Sequence, residues 1–123
     1  MSKALRITFL AHAIVALVLG LALLIIPGQF LNFLNWRPNE PLISRLFGAA
    51  LLALAWGSYR GWRASERAQV KILIEIEAIF TVLGSIGLLR HLFIAYYPPI
   101  VWATLLVLVI FAIAWIFFLL KKE

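Results

Sequence analysis

The sequence contains no cysteine and few charged residues, and both absences narrow what the chain can be. Without cysteine, disulfides, thiol nucleophiles and sulfur-ligated metals are excluded. Charged residues make up 13% of the chain, against roughly 25% in soluble proteins. The sequence also lacks phosphate-binding glycine loops, zinc signatures and nucleophile elbows. We therefore predict that the chain is not an enzyme and has no catalytic or metal site, and we identify no soluble substrate for it.

Four long apolar stretches occupy most of the 123 residues, 65% of which are hydrophobic. Each stretch can cross a bilayer, which takes about 20 apolar residues. None alternates as barrel strands do, and backbone in lipid must satisfy its own hydrogen bonds, so each should be a helix. The sequence predicts an all-α membrane protein, a single domain of residues 1–123 with four transmembrane helices in a bundle. We place the helices at about residues 5–26, 41–62, 68–91 and 98–120.

The segment between the first two stretches is the only sizeable loop on its side of the predicted membrane. Its residues 29–36 mix aromatic and aliphatic side chains with Asn32 and Asn35, which is typical of a short interfacial helix at the lipid headgroups. A lid over an outward-facing cavity is the alternative, since loops of this length are often functional. The next helix is predicted to begin near Pro41, with Asn39 as its cap.

Lysine and arginine are distributed unequally between the two predicted sides. Eight of the eleven lie on one side, namely Lys3, Arg6, Arg60, Arg63, Arg67, Lys71, Lys121 and Lys122. Arg37, Arg45 and Arg90 lie on the other. Short loops rich in these residues stay cytoplasmic, so both termini are predicted inside, in the inner membrane of a prokaryote. The membrane topology accounts for the net charge of +6, so we predict no nucleic-acid partner. The first expected partner is the lipid bilayer, whose anionic headgroups lie near these cations.

Small residues recur every four positions on two of the predicted helices. They are Ala49, Ala53, Gly57 and Gly61 on the second helix, with Ala16 and Gly20 on the first. This small-xxx-small spacing lets a neighbouring backbone approach closely, so these faces are predicted to form a helix-packing seam. The spacing does not identify the partner that the seam meets.

Polar residues within the first and third apolar stretches recur every four positions, so on each helix they share one face. His12 continues the small-residue stripe of the first helix by one turn, and Glu77 lies level with it on the third helix, about 10 Å from the predicted helix start. A charged carboxylate in mid-membrane costs on the order of 2.5–3.5 kcal/mol, which a hydrogen-bond donor offsets in part. We therefore predict an intramembrane polar pair of His12 and Glu77. The supporting polar stripe is Thr8, Thr81 and Ser85.

Three interpretations of this pair remain open. In the structural one, a hydrogen bond between helices fixes which faces meet. In the functional one, the pair handles protons or ions, because imidazole and a desolvated carboxylic acid both exchange protons near neutral pH. In the third, His12 ligates the metal of a haem or chlorin through a ring nitrogen. The preferred interpretation has no cofactor.

Arg45 lies one turn inside the outer end of the second helix. Its long stem can reach the headgroups, and Glu40 is close enough in sequence to pair with it. The alternative is an outer vestibule in which Arg45, Arg37 and Arg90 recognise an anion.

These patterns favour a structural or binding role. We predict a small integral membrane subunit of a homo- or hetero-oligomeric assembly, whose partners are copies of itself or other membrane subunits. One alternative is a minimal transporter or channel for protons, ions or a small solute that uses Glu77 and His12. Another is a haem- or pigment-binding subunit of an energy-converting complex.

Overall fold

The computed structural model describes residues 1–121 and is helical throughout its regular elements. The helices are α1 (Lys3–Ile25), α2 (Pro27–Phe33), α3 (Pro41–Arg63), α4 (Lys71–Leu92) and α5 (Pro99–Leu120), with one 3₁₀ turn at Arg67–Gln69. All of them except α2 and the 3₁₀ turn are long and apolar enough to cross a membrane. The predicted all-α fold class is therefore confirmed, and the helices are consistent with a four-helix membrane bundle. Lys122, one of the predicted inner cations, lies outside the described residues.

The chain divides between Ala64 and Ser65 into two compact helical units. The first, Ser2–Ala64, contains α1, α2 and α3, and we call it the N-terminal hairpin. The second contains α4 and α5, and we call it the C-terminal hairpin. Large apolar side chains are exposed along every long helix, among them Ile14, Leu46, Ile79 and Ile110. Such surfaces suit hydrocarbon rather than water as the solvent.

The long helices of the N-terminal hairpin begin at side-chain caps. The Ser2 hydroxyl accepts the Leu5 amide at the start of α1. At the start of α3, the Glu40 carboxylate accepts the amides of Leu42 and Ile43 at 3.2 and 2.8 Å. The prediction that Asn39 caps this helix is therefore wrong. Glu40, and not Asn39, directly precedes the first helical residue Pro41 and so holds the cap position, where its carboxylate also favours the positive end of the helix dipole.

The short helix α2 ends in a left-handed residue. Asn35 has φ 59°, a conformation that asparagine tolerates better than most residues. Its amide bonds the Asn32 carbonyl at 3.0 Å, and the Trp36 amide bonds the Leu31 carbonyl at 2.8 Å. This pair of bonds is a Schellman motif, which satisfies carbonyls that the helix end leaves open. Asn39, instead of capping α3, donates to the Asn32 side chain and the Trp36 carbonyl.

The backbones of α1 and α3 lie in contact where two glycines meet. A Cβ atom added to Gly48 would lie 2.7 Å from the Leu24 nitrogen and 2.8 Å from the Gly20 oxygen. A Cβ on Gly20 would lie 3.0 Å from the Gly48 oxygen. The atoms in the way belong to the backbone and cannot rotate aside, so only glycine fits at Gly48. The two backbones are in direct contact, as small-residue packing allows in membranes.

The C-terminal hairpin begins with a capping box. The side chains of Glu66 and Gln69 reciprocally accept each other's backbone amides around the 3₁₀ turn that precedes α4. On α5, Val101, Leu105, Trp115 and Phe118 are buried. Gly84 of α4 faces Leu108 of α5, and an added Cβ would lie 3.5 Å from the nearest leucine atom, an ordinary contact distance. This hairpin therefore does not depend on glycine at that position.

Candidate functional site

His12 and Ser58 form a buried polar pair between the two long helices of the N-terminal hairpin. The His12 Nδ1 atom lies 3.0 Å from the Ser58 hydroxyl oxygen, a hydrogen bond in which the histidine tautomer decides the donor. His12 is 5% exposed and Ser58 is not exposed at all. The pair joins residues that are far apart in sequence but face each other because α1 and α3 run in opposite directions.

The polar pair lies between two close contacts in the same interface. Toward the chain's beginning, Gly61 faces the ring of Phe9, and a Cβ on this glycine would lie 2.6 Å from two ring carbons. On the other side lies the Gly20 and Gly48 crossing described above. Both neighbouring contacts fix the separation of the helices, so the imidazole and the hydroxyl are held at hydrogen-bond distance by the packing around them.

Ser58 was not among the predicted site residues. The predicted small-residue stripe on α3 steps from Gly57 to Gly61 and passes over it. The alignment of α1 against α3 could have identified Ser58 from the sequence. If Gly20 opposes Gly48, an antiparallel neighbour places His12 opposite residues near 56 to 58, and Ser58 is the residue there that hydrogen-bonds a histidine.

Glu77 and Thr81 are buried on α4, each 1% exposed, and Ser85 is half-buried. The Thr81 hydroxyl donates to the Glu77 carbonyl at 2.8 Å, and the Ser85 hydroxyl donates to the Thr81 carbonyl at 2.7 Å. On α1, the Thr8 hydroxyl likewise donates a hydrogen bond to the Ala4 carbonyl at 2.9 Å. The predicted polar stripe thus satisfies its hydroxyls on its own helices, a common arrangement for Ser and Thr in membrane helices.

His12 and Glu77 belong to different hairpins, and their pairing stays a prediction. The partner of His12 that the N-terminal hairpin supplies is Ser58. A haem or chlorin at His12 likewise stays a prediction. Among residues 1–121, no cluster of three or more His, Asp or Glu side chains could hold a metal ion.

Arg45 binds the carboxyl end of α1. Its guanidinium donates to the Leu24 carbonyl and to the Ile25 carbonyl, the latter at 3.5 Å. The expected pairing of Arg45 with Glu40 is replaced by this contact, because the Glu40 carboxylate serves as the cap of α3. A cation at the last carbonyls of a helix satisfies open acceptors and opposes the helix dipole. Arg37 and Arg90 are exposed, and an outer vestibule made by the three arginines stays a prediction.

Two more arginines bind helix ends in the same manner, and neither was predicted to do so. Arg6, near the start of α1, donates to the Trp62 carbonyl at the end of α3 at 3.3 Å. Arg67, just before α4, donates to the Phe118 carbonyl at 2.7 Å and the Leu119 carbonyl at 3.2 Å at the end of α5. In each hairpin, an arginine at the start of the first long helix therefore ties the end of the last one.

The residues of the predicted packing seam do not all lie in one interface. Ala16, Gly20 and Gly61 are buried, while Gly57 is half-buried. Ala49 and Ala53 are exposed. Within the hairpin the contact face of α3 runs instead through Gly48, Leu51, Ala55, Ser58 and Gly61. The small residues of α3 thus serve two faces, one turned toward α1 and one open.

No protein-family model, curated protein or solved structure matches this chain.

Proposed function

We propose that the protein is a small integral membrane subunit that assembles with copies of itself or with other membrane subunits. The observation that carries the proposal is the exposure of Ala49 and Ala53, four residues apart on α3. Small residues at this spacing give lipid chains little to pack against but allow another helix backbone to approach closely. The contact with α1 uses a different face of the same helix, so the N-terminal hairpin itself leaves this stripe uncovered.

The limited burial of the helices supports an assembly. Buried residues make up 22% of the spanning segment of α3 and 33% of that of α1. Lipid can cover the rest where side chains are large, but the alanine stripe is better suited to a helix. Two faces made of small residues on one helix are expected for a subunit that packs internally on one side and externally on the other.

The orientation is part of the proposal. The arginine and lysine distribution supports an orientation in which both termini and the segment between α3 and α4 lie in the cytoplasm, with the α2 loop on the opposite side. The cytoplasmic membrane of a prokaryote is the expected location. On this arrangement α2 lies at the outer headgroups, where the exposed ring of Phe33 suits the interface.

The test is the mass and composition of the complex after gentle extraction from its membrane. We expect the protein to leave the membrane with partners, and Ala53→Leu to reduce the assembled fraction strongly, because a branched side chain keeps backbones apart. The matched control is Ala11→Leu, which makes the same change at an exposed alanine of α1, away from the stripe. A monomer without partners, or an unaffected assembly in Ala53→Leu, contradicts the proposal.

A second candidate function is a proton or ion pathway through Glu77 and His12. The burial of a carboxyl group in the span of α4 favours it, since ionisable residues inside membrane helices commonly mark ion and proton paths. Flux through the reconstituted protein tests this candidate. We expect Glu77→Gln and His12→Ala each to lower the flux at least tenfold if the pair is the relay. Unchanged flux in both variants excludes these residues from such a path.

A further inference from the structure

A basic and aromatic surface lies on the last two turns of α3, the end that Arg6 ties to α1. Trp56 is 60% exposed and Tyr59 is 39% exposed, and Arg60 and Arg63 are also exposed. At 3.6 residues per turn, these positions fall within an arc of about 100° on the helix. We call these four residues the basic-aromatic face.

The two rings of this face form a row with the half-buried ring of Trp62, and the Trp56 ring contacts a cation. The ring centroids of Trp56 and Tyr59 are 5.6 Å apart, and those of Tyr59 and Trp62 are 6.0 Å apart. The guanidinium carbon of Arg60 lies 5.9 Å from the centre of the Trp56 ring, a cation–π distance. Tryptophan and tyrosine concentrate at the headgroup level of membranes. The row is therefore typical of the headgroup level, and Arg60 is in contact with it.

No carboxylate of the N-terminal hairpin lies near this face. Glu40 is the only acidic residue in Ser2–Ala64, and its carboxylate caps the opposite end of α3. Twenty helical residues separate it from Arg60, about 30 Å at 1.5 Å per residue. The carboxyl end of α3 is already bound by Arg6. Within this hairpin, the positive charge of Arg60 and Arg63 therefore has no counter-charge. The next acidic residue along the chain, Glu66, uses its carboxylate to accept the Gln69 amide in the capping box.

We propose that the basic-aromatic face binds the phosphate group of an anionic phospholipid in the adjacent leaflet. Two guanidinium groups one turn apart offer the forked N–H donors that bind phosphate oxygens in pairs. The exposed rings of Trp56 and Tyr59 pack against the glycerol and the first methylenes of the acyl chains. The rings favour a lipid over a free anion as the occupant, because inorganic phosphate has no apolar part that could pack against them.

The test measures lipid selectivity of the full-length protein in phosphatidylcholine vesicles that contain spin-labelled phosphatidylglycerol or spin-labelled phosphatidylcholine. We expect the protein to prefer the anionic probe, and the preference to fall about fivefold for each arginine in Arg60→Gln and Arg63→Gln. The matched control, Lys71→Gln with Lys121→Gln, removes the same charge from exposed positions on the same predicted side and should keep the preference. Inorganic phosphate at millimolar concentration should not displace the lipid.

The double variant Arg60→Lys and Arg63→Lys separates a binding site from simple charge. It preserves the positive charge that directs insertion but loses the forked donors, so we expect an unchanged orientation and a preference between those of the native protein and the glutamine variant. The proposal is overturned by an equal preference in the native protein and the double glutamine variant, by an equal loss in the control, or by displacement with phosphate. If the glutamine variant does not insert, the lysine variant decides: a reduced preference supports the site, and an unchanged one overturns it.

Discussion

In both hairpins an arginine binds the end of the last helix, but the helices pack together differently in the two hairpins. Arg6 and Arg67 each bind the last carbonyls of the final helix of their own hairpin. Along the N-terminal hairpin, backbones touch at Gly20 and Gly48, and a polar pair is buried beside them. In the C-terminal hairpin, the one glycine that faces the neighbouring helix, Gly84, lies at an ordinary distance from a leucine side chain.

This difference shows two ways to join membrane helices. Where the backbones are in contact, the register is fixed by positions that accept no added atom. Where side chains separate the backbones, a neighbour can shift by a few tenths of an ångström to accommodate a change. We therefore expect the N-terminal hairpin to be the more sensitive of the two to small substitutions.

The largest expected effect is that of Gly48→Ala. The new methyl group would lie within 3.0 Å of the α1 backbone, and such overpacking costs about 1–3 kcal/mol. The free energy of unfolding in lipid bicelles measures this loss. Gly84→Ala is the matched control, and we expect it to be close to neutral. Equal losses in the two variants would remove the distinction between the hairpins.

A smaller loss is expected for Gly61→Ala. Its methyl group would meet the ring of Phe9, a buried side chain that has little room to move, and the cost should be about 1 kcal/mol. A second substitution, Phe9→Leu, makes space for the methyl group and should recover part of the stability lost in Gly61→Ala. The same unfolding measurement on the single and double variants checks this. Additive losses would show that the two residues do not share a contact.

The hydrogen bond between His12 and Ser58 should contribute less than the packing around it. Interhelical hydrogen bonds in membranes couple their partners by about 0.6 kcal/mol on average. A double-mutant cycle with Ser58→Ala and His12→Leu isolates this coupling from the change in packing. A coupling near zero would mean that the two side chains are neighbours without a stabilising bond.

An effect of similar size is expected for the feature that the hairpins share. Arg6→Gln and Arg67→Gln each remove a cation from a helix end, with an expected loss of about 0.3–1 kcal/mol per site. Since the device is the same in both hairpins, the two losses should be similar. Arg63→Gln is the control, because this arginine lies on the same helix end as the Arg6 contact. A large loss in only one of the two hairpins would show that the arginines play unequal roles.

The helix positions could be predicted from sequence because the bilayer imposes them. Any stretch of about 20 apolar residues must be helical in lipid, and α3 begins at Pro41 as expected. Cap identity was harder to predict, since Asn39 and Glu40 are adjacent and both can accept amide hydrogens. The choice depends on which side chain meets the first turn, and the loop that bonds Asn39 to Asn32 decides this.

The contact face of α3 could not be read from spacing alone. Steps of four residues drift by about 40° each, so three steps back from Gly61 reach a point roughly 120° around the helix. Ala49 is there, and it is exposed. The true face combines steps of three residues with one step of four and includes Gly48. The contacts of Arg6, Arg45 and Arg67 with helix-end carbonyls could not be predicted from the sequence for a related reason. Each contact depends on the length and direction of a neighbouring helix, which the composition does not specify.

The central claim is that each hairpin crosses the membrane and returns. Because the sequence has no cysteine, a single introduced cysteine reports its own position when treated with a membrane-impermeant maleimide. We predict that Asn35→Cys, in the loop after α2, is labelled in intact cells, and that Ser65→Cys, between the hairpins, is labelled only after the membrane is opened. Labelling of both positions from the same side would contradict the account.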